Sequence, residues 1–81
     1  MKIELNAIIR LNNNEKYIVL NELNYENNLY YLTMGVIKDN EVDSSKVVIL
    51  CEKHDKDGYY VEKVIDSDLM LELTKQFKEQ M

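Results

Sequence analysis

The chain has 81 residues, 46% of them hydrophobic and 31% charged, and its formal net charge is −5 at pH 7. This length and apolar content fit one small domain with a limited core, which excludes an intrinsically disordered protein. No apolar run approaches the roughly 20 residues of a membrane span, and the basic residues are scattered singly, which disfavours membrane insertion and direct nucleic-acid binding.

Cysteine use and the first residues indicate the compartment. The chain begins with alternating polar and apolar residues rather than with the apolar core of a secretory signal. Cys51 is the only cysteine, so no internal disulfide can form, as is usual in a reducing compartment. We therefore expect a cytoplasmic protein in which Cys51, at the end of the apolar run 47–51, is a small buried hydrophobe.

The first predicted element is a half-buried strand over residues 3–11. Its apolar residues recur with a period of two, which places one face of a strand on a core: Ile3, Leu5, Ala7, Ile9 and Leu11. Ile8 interrupts this alternation on the polar side. Asparagines 12–14 tolerate left-handed backbone geometry, so we expect a hairpin turn after the strand.

Two further strands follow. The second covers 16–20 and continues to residue 25, with Asn21 marking a bulge or bend, and a turn is expected at 26–28. The third, 29–37, is apolar on both faces, as in a central strand, and Gly35 indicates a bulge or a close backbone approach.

The next stretch contains a loop and two more strands. Residues 38–46 are polar and lack a pattern, which predicts a mobile loop. A fourth strand over 47–51 and a fifth over 59–65 flank a turn at 54–58, where Asp-Gly is a strong hairpin signal.

The last segment, 66–81, is the predicted helix. Its apolar residues fall three or four apart, in one stripe: Leu69 or Met70, Leu73, Phe77 and Met81. Asp66 or Ser67 can cap the first free amides. With Asp66 as the cap, Ile65 and Met70 occupy the positions of a hydrophobic staple.

Together these elements predict an α+β domain. Consecutive strands joined by short turns favour an antiparallel sheet of about five strands in meander order. A single helix of this length is marginal in water, so it must pack on one face of that sheet.

Metal and cofactor chemistry finds little support in the sequence. His54 is the only histidine, and it lies in a charged turn where a solvated role is expected, whereas a metal site needs several converging ligands. Asp55, Asp57 and Gly58 resemble the start of a calcium loop, but the closing glutamate and the flanking helices are missing. We expect no metal and no cofactor.

Catalytic motifs are equally sparse. The serines at 44, 45 and 67 lie in a loop and at a helix start, without a nucleophile elbow. Two glycines cannot supply a glycine-rich phosphate loop. We therefore predict a protein that is not an enzyme and has no catalytic residue.

The tyrosines are the main candidates for binding. All six fall on predicted strands or strand ends, and two adjacent pairs, Tyr30-Tyr31 and Tyr59-Tyr60, put one ring on each face of the sheet. One interpretation is cross-strand packing, with the phenols reaching water at the rim. The other is an exposed aromatic patch for a partner chain, on the sheet face that one helix leaves bare. On the second interpretation Tyr30, Tyr31, Tyr59 and Tyr60 are the partner-binding residues.

The net charge raises a different hypothesis. A small acidic domain, phage- or mobile-element-encoded, can present carboxylates to a basic groove on a host protein and so mimic nucleic acid. The candidate acids lie in loops and at the helix start: Glu41, Asp43, Asp55, Asp57, Asp66 and Asp68. An ordinary solvated surface has the same acid count.

Four segments from residue 16 onward carry a resemblance to known proteins: 16–20, 30–32, 58–64 and 66–77. In that order they resemble the small bacterial proteins of the YrzB-like type, and they are also similar to short cargo proteins of phages and mobile elements. The resemblance implies the same α+β arrangement and, since that family brings no established activity, no site residue. This chain departs by being less acidic and by its additional leading strand over 3–11.

The leading hypothesis is thus a small cytoplasmic protein that binds another protein, or a second copy of itself as a homodimer, through an exposed aromatic sheet face. The acidic inhibitor is the alternative. Salt distinguishes them, because an electrostatic mimic loses its partner as ionic strength rises and an aromatic interface does not.

Overall fold

The computed structural model describes residues 3–11, 14–37 and 41–80. Within them the chain forms five strands and one helix, in this order: β1 (Ile8–Arg10), β2 (Lys16–Tyr25), β3 (Asn28–Ile37), β4 (Glu41–Asp55), β5 (Gly58–Lys63) and α1 (Ser67–Glu79). Each strand pairs antiparallel with the next one along the chain, in the order β1-β2-β3-β4-β5. The predicted α+β meander with a C-terminal helix is confirmed.

The first strand is shorter than predicted. β1 covers only Ile8–Arg10, because the chain turns before it: the amide of Ala7 donates to the carbonyl of Glu4 (3.2 Å), and Asn6 has a φ of 67°. Asparagine adopts this left-handed geometry at lower cost than most residues. The prediction of a continuous strand over 3–11 is therefore wrong, since apolar alternation does not reveal a left-handed residue inside it.

The turns around β2 follow the asparagines. Of the turn predicted at 12–14, residues 12 and 13 lie outside the described part of the chain, and Asn14 has a φ of 66°. The β2–β3 turn is formed by Glu26 (φ 49°) and Asn27 (φ 67°), and two consecutive positive φ angles are what a type I′ hairpin requires.

Both predicted irregularities are present. The register of β2 on β3 shifts between Val19 and Asn21, which is the bulge that Asn21 indicated. The register of β3 on β4 shifts between Met34 and Gly35. A Cβ atom at Gly35 would lie 2.7 Å from Cδ of Lys46, so this glycine accommodates the stem of the lysine side chain.

The loop predicted over 38–46 is largely a strand. Residues 38–40 lie outside the described residues, but 41–46 belong to β4, with Glu41 opposite Ile37 and Val42 opposite Val36. The mobile-loop prediction is thus wrong for 41–46. Residues 41–43 pair with the backbone of β3, which does not require apolar side chains, and 44–46 form the irregular stretch before Val47 pairs with Met34.

The helix begins as predicted at its cap. The Asp66 carboxylate accepts hydrogen bonds from the amides of Asp68 (3.0 Å) and Leu69 (3.2 Å). The expected staple is absent, because Ile65 is 88% exposed and does not pack on Met70. The chain leaves β5 with Val64 on the core side, which turns its neighbour Ile65 to solvent.

Each face of the sheet carries a buried core, and the two cores are formed by different means. On the helix face, α1 covers a core made of residues from the sheet and the helix: Leu23, Tyr30, Ile49, Cys51, Leu73 and Phe77. On the opposite face, here called the back face, a second core contains Val19, Tyr31 and Leu50, with Ile3, Ile9 and Leu11 packed against it.

The back face is concave. β2 and β5 are separated by two strands and would lie roughly 14 Å apart in a flat sheet. Nζ of Lys63, at the end of β5, nevertheless lies 2.8 Å from Oε1 of Glu15, just before β2. The sheet therefore curls over its back face, and the expectation that the side away from the helix is bare is wrong.

Candidate functional site

A continuous part of the sheet's apolar surface lies on the helix face, beyond the end that α1 covers. Directly paired residues of neighbouring strands point to the same face, so the register sets four aliphatic side chains in one row across β1, β2, β3 and β4: Ile8, Ile18, Met34 and Val47. Ile8 is 50% exposed and Val47 is 47% exposed. The next row on this face continues it with Val36 and Val42. We call these six residues the apolar strip.

The helix does not extend over the strip, in which Ile18, Met34 and Val36 are half-buried and the other three residues are exposed. α1 has 13 residues and so spans about 20 Å, from the end of β5 to β2. Its end is fixed there by Gln80, whose Nε2 donates to the carbonyl of Glu22 (2.6 Å). Among the described residues, no strip side chain packs into the core beneath the helix.

Two cations lie beside the strip. Arg10 of β1 and Lys16 of β2 are direct cross-strand partners in the row that contains Val36 and Val42. The paired positions of these two rows hold two basic residues and no carboxylate, although the chain has 15 acidic residues and 10 basic ones. In the part of the chain that the structure describes, neither Arg10 nor Lys16 forms an ion pair. The strip is thus apolar with a locally positive end.

The edge of β4 next to the strip is irregular. β5 pairs with β4 only from Leu50 onward, which leaves 41–48 without a strand on that side among the described residues. Within this stretch Oδ1 of Asp43 accepts hydrogen bonds from the hydroxyl of Ser45 (2.6 Å) and from its amide (3.0 Å). These bonds hold the pKa of Asp43 below its ordinary value. Since bulged edges resist the addition of another strand, contacts through the side chains of the strip are favoured over strand addition.

Two of the predicted binding tyrosines are buried. Tyr30 is 5% exposed and lies in the core under α1, and Tyr31 is fully buried in the back-face core. The hydroxyl of Tyr31 accepts a hydrogen bond from the amide of Ile3 (3.1 Å) and donates to Glu52 (3.3 Å), and burial raises its pKa. Neither ring belongs to a surface patch, because β3 is the central strand and a core covers each of its faces at this point.

The other two predicted tyrosines are exposed but separated. Tyr59 is 54% exposed and Tyr60 is 43% exposed. They point to opposite faces of β5: Tyr59 lies opposite His54, with ring centres 5.5 Å apart, and Tyr60 lies opposite Lys53. The structure therefore does not gather the four predicted tyrosines into one aromatic surface.

Three of the six acids in the alternative hypothesis stabilise local structure. Asp43, Asp55 and Asp66 each accept a hydrogen bond from the amide two residues further on, which stabilises a turn or caps the helix. Glu41 and Asp43 lie in β4, whereas Asp66 and Asp68 lie at the start of α1. The acidic-inhibitor hypothesis stays a prediction.

An ion-pair cluster on the back face is a further candidate. The Glu15 carboxylate bridges Nζ of Lys46 (2.6 Å) and Nζ of Lys63 (2.8 Å), and both ammonium groups lie within 5.6 Å of the centre of the buried Tyr17 ring. The hydrogen bond to Glu15 is the main reason why the pKa of each lysine is raised. These contacts join β5 to the start of β2, so the cluster stabilises the curl of the sheet.

The remaining reactive side chains have structural positions. Cys51 is buried in the core under the helix, as predicted, and that burial raises the pKa of its thiol. Over the described residues, no group of three or more His, Cys, Asp or Glu side chains is arranged to hold a metal ion. No helix in those residues is long and apolar enough to cross a lipid bilayer.

Comparisons with known proteins do not assign the chain to a family. No protein-family model, curated protein or solved structure matches the chain. The resemblance to YrzB-like proteins accordingly stays a prediction.

The strip residues belong to the sequence patterns, but no pattern within a single strand marks them as a site. In the sequence, Ile8 is only an interruption of the apolar alternation over 3–11. Ile18 lies between Tyr17 and Val19, which mark the other face of β2. These apolar residues on the second face of β1 and β2 are the signal in the sequence that points to the strip. Only the strand register shows that they lie in one row with Met34 and Val47.

Proposed function

We propose that this chain is a small cytoplasmic, non-enzymatic protein that binds another protein through the apolar strip. The observation that carries the proposal is the row of four aliphatic side chains from four consecutive strands, with Ile8 and Val47 about half exposed at its two ends. Contact with the apolar side chains of a partner would remove this row from water, which is favourable.

The size of the strip indicates how a partner binds. Four strands at the usual spacing and two rows of side chains give a footprint on the order of 250 Å². A standard protein–protein interface buries about 800 Å² on each partner. The strip therefore suits a short segment or serves as the centre of a larger contact.

The test is affinity capture from a lysate of the source organism with two matched variants. In Ile8→Ser/Val47→Ser the two exposed ends of the row become polar. In the control, Ile65→Ser/Leu71→Ser, two other exposed apolar residues are changed, since Ile65 is 88% and Leu71 is 71% exposed and neither is in the strip.

We expect a protein that is retained by the wild type and by the control, withstands a high-salt wash, and is lost from the strip variant. Far-ultraviolet circular dichroism and urea unfolding verify that the strip variant is folded. Capture of the same proteins by both variants contradicts the proposal. A nucleic-acid-handling partner that every variant retains in low salt and releases in high salt supports the acidic inhibitor instead.

A further inference from the structure

We infer that the segment bound by the apolar strip carries carboxylates beside its apolar residues, and that Arg10 and Lys16 select it. This inference rests on the proposed function, because it specifies the partner of the same surface.

Arg10 and Lys16 form a like-charged cross-strand pair. Side chains of directly paired residues have Cβ atoms about 5 Å apart, and like charges at that distance destabilise a sheet. Among the described residues no carboxylate pairs with either cation. On the back face, by contrast, Glu15 bridges Lys46 and Lys63, so the same chain neutralises its other lysine pair internally.

Arg10 and Lys16 lie directly beside the apolar strip. Arg10 and Lys16 occupy the same row as Val36 and Val42, adjacent to the row that runs from Ile8 to Val47. A segment whose apolar side chains lie on the strip would bring its neighbouring side chains over the two cations. Carboxylates at those positions would form charge-assisted contacts and relieve the repulsion.

The charge of the whole molecule distinguishes a short acidic segment from an extended polyanion. The chain carries a net charge of −5, which repels RNA or an anionic membrane surface as a whole. At about 0.1 M salt the Debye length is roughly 10 Å, so a short segment on the strip senses mainly the nearby Arg10 and Lys16. A second copy of the chain, bound strip to strip, would place the same cations in both halves of the interface.

The experiment is selection of short random peptides, displayed on phage, against three forms of the full chain. The forms are the wild type, Arg10→Glu/Lys16→Glu, and the control Lys53→Glu/Lys75→Glu, whose two lysines are exposed and outside the strip. The two variants change the net charge equally. Both members of the cross-strand pair become acidic in the first variant, so the like-charge repulsion in the sheet is unchanged.

We expect the wild type to select peptides with aliphatic residues next to Asp or Glu. Two exposed ion pairs are worth about 1 to 2 kcal/mol together, so Arg10→Glu/Lys16→Glu should bind those peptides about 5- to 30-fold more weakly and select peptides rich in Lys or Arg. The control should bind within about twofold of the wild type, since exposed charges separated by more than a Debye length are largely screened.

Other outcomes overturn the inference in distinguishable ways. Selected peptides that require Ile8 and Val47 but show no acidic enrichment refute the carboxylate preference and leave the proposed function standing. Peptides that bind the Ile8→Ser/Val47→Ser variant unchanged, or no selected peptides at all, count against both. A dimer in sedimentation velocity that this strip variant disperses shows that the occupant is a second copy of the chain.

Discussion

The docking of α1 can be tested at two leucines of the same helix. Leu73 is fully buried in the core under the helix, whereas Leu71, two residues away, is 71% exposed. Replacing a fully buried leucine by alanine removes its contacts and leaves a cavity, which costs about 2 to 5 kcal/mol. A domain of 81 residues has a total stability of about 4 to 12 kcal/mol, so Leu73→Ala should remove a large part of it.

Leu71→Ala is the matched control. It makes the same chemical change on the exposed side of the helix, where alanine has the better helix propensity, so its effect should stay within about 0.5 kcal/mol. Urea unfolding followed by circular dichroism measures both variants. With a slope of about 1 kcal/mol per molar urea, the midpoint of Leu73→Ala should fall by about 2 M or more.

Leu73→Met keeps the test informative if the alanine variant does not fold. This near-isosteric change in the core should cost less than about 1.5 kcal/mol. Equal losses for Leu71→Ala and Leu73→Ala would show that the helix does not present this stripe to the sheet, and the description of the helix-face core would have to be abandoned.

Three further predictions concern the sheet. Gly35→Ala should destabilise the fold by about 1 to 3 kcal/mol, because a Cβ atom there would lie 2.7 Å from Cδ of Lys46. When Lys46→Ala is already present, Gly35→Ala should cost much less, and a double-mutant cycle measures this difference. Thr33→Val should cost about 1 kcal/mol in urea unfolding, because the buried Thr33 hydroxyl donates to a β4 carbonyl at 2.7 Å; no loss would contradict that bond. Ser45→Ala removes the main cause of the lowered pKa of Asp43, so an NMR titration of that carboxyl should show its pKa rising. The stabilisation from Asp43 is present at neutral pH and is lost as the pH falls through the lowered pKa of the folded state.

Local patterns predicted most of the fold because its elements have strong local signals. The cap at Asp66 and the stripe of Leu73 and Phe77 are short-range features, and the helix begins and packs as they indicate. The turn at Glu26–Asn27 likewise contains Asn27, a residue type that tolerates positive φ. Where a left-handed residue lies inside an alternating run, as Asn6 does, the same rules predicted a strand that is not formed.

The site could not be predicted in the same way, because it depends on long-range geometry. The expectation of a bare sheet face assumed a flat sheet, and curling buries Tyr31 in the concave back face. The β2–β3 and β3–β4 register shifts, with the strand pairings, place Met34 between Ile18 and Val47. A shift of one residue in the pairing would exchange the two faces, so no pattern within one strand locates the strip.

A single substitution in the like-charged pair next to the strip should change the stability of the fold and the binding of peptides in opposite directions. Lys16→Glu converts the repulsive pair with Arg10 into an attractive one, so the free energy of unfolding should rise by about 0.2 to 1 kcal/mol. Binding of acidic peptides to the strip should weaken in the same variant, because one of the two selecting cations has been reversed. Lys53→Glu, which makes the same charge change opposite Tyr60, should leave both quantities nearly unchanged. If Lys16→Glu lowers stability in urea unfolding instead, the two cations do not face each other as the register requires, and they would offer no paired site for a carboxylate.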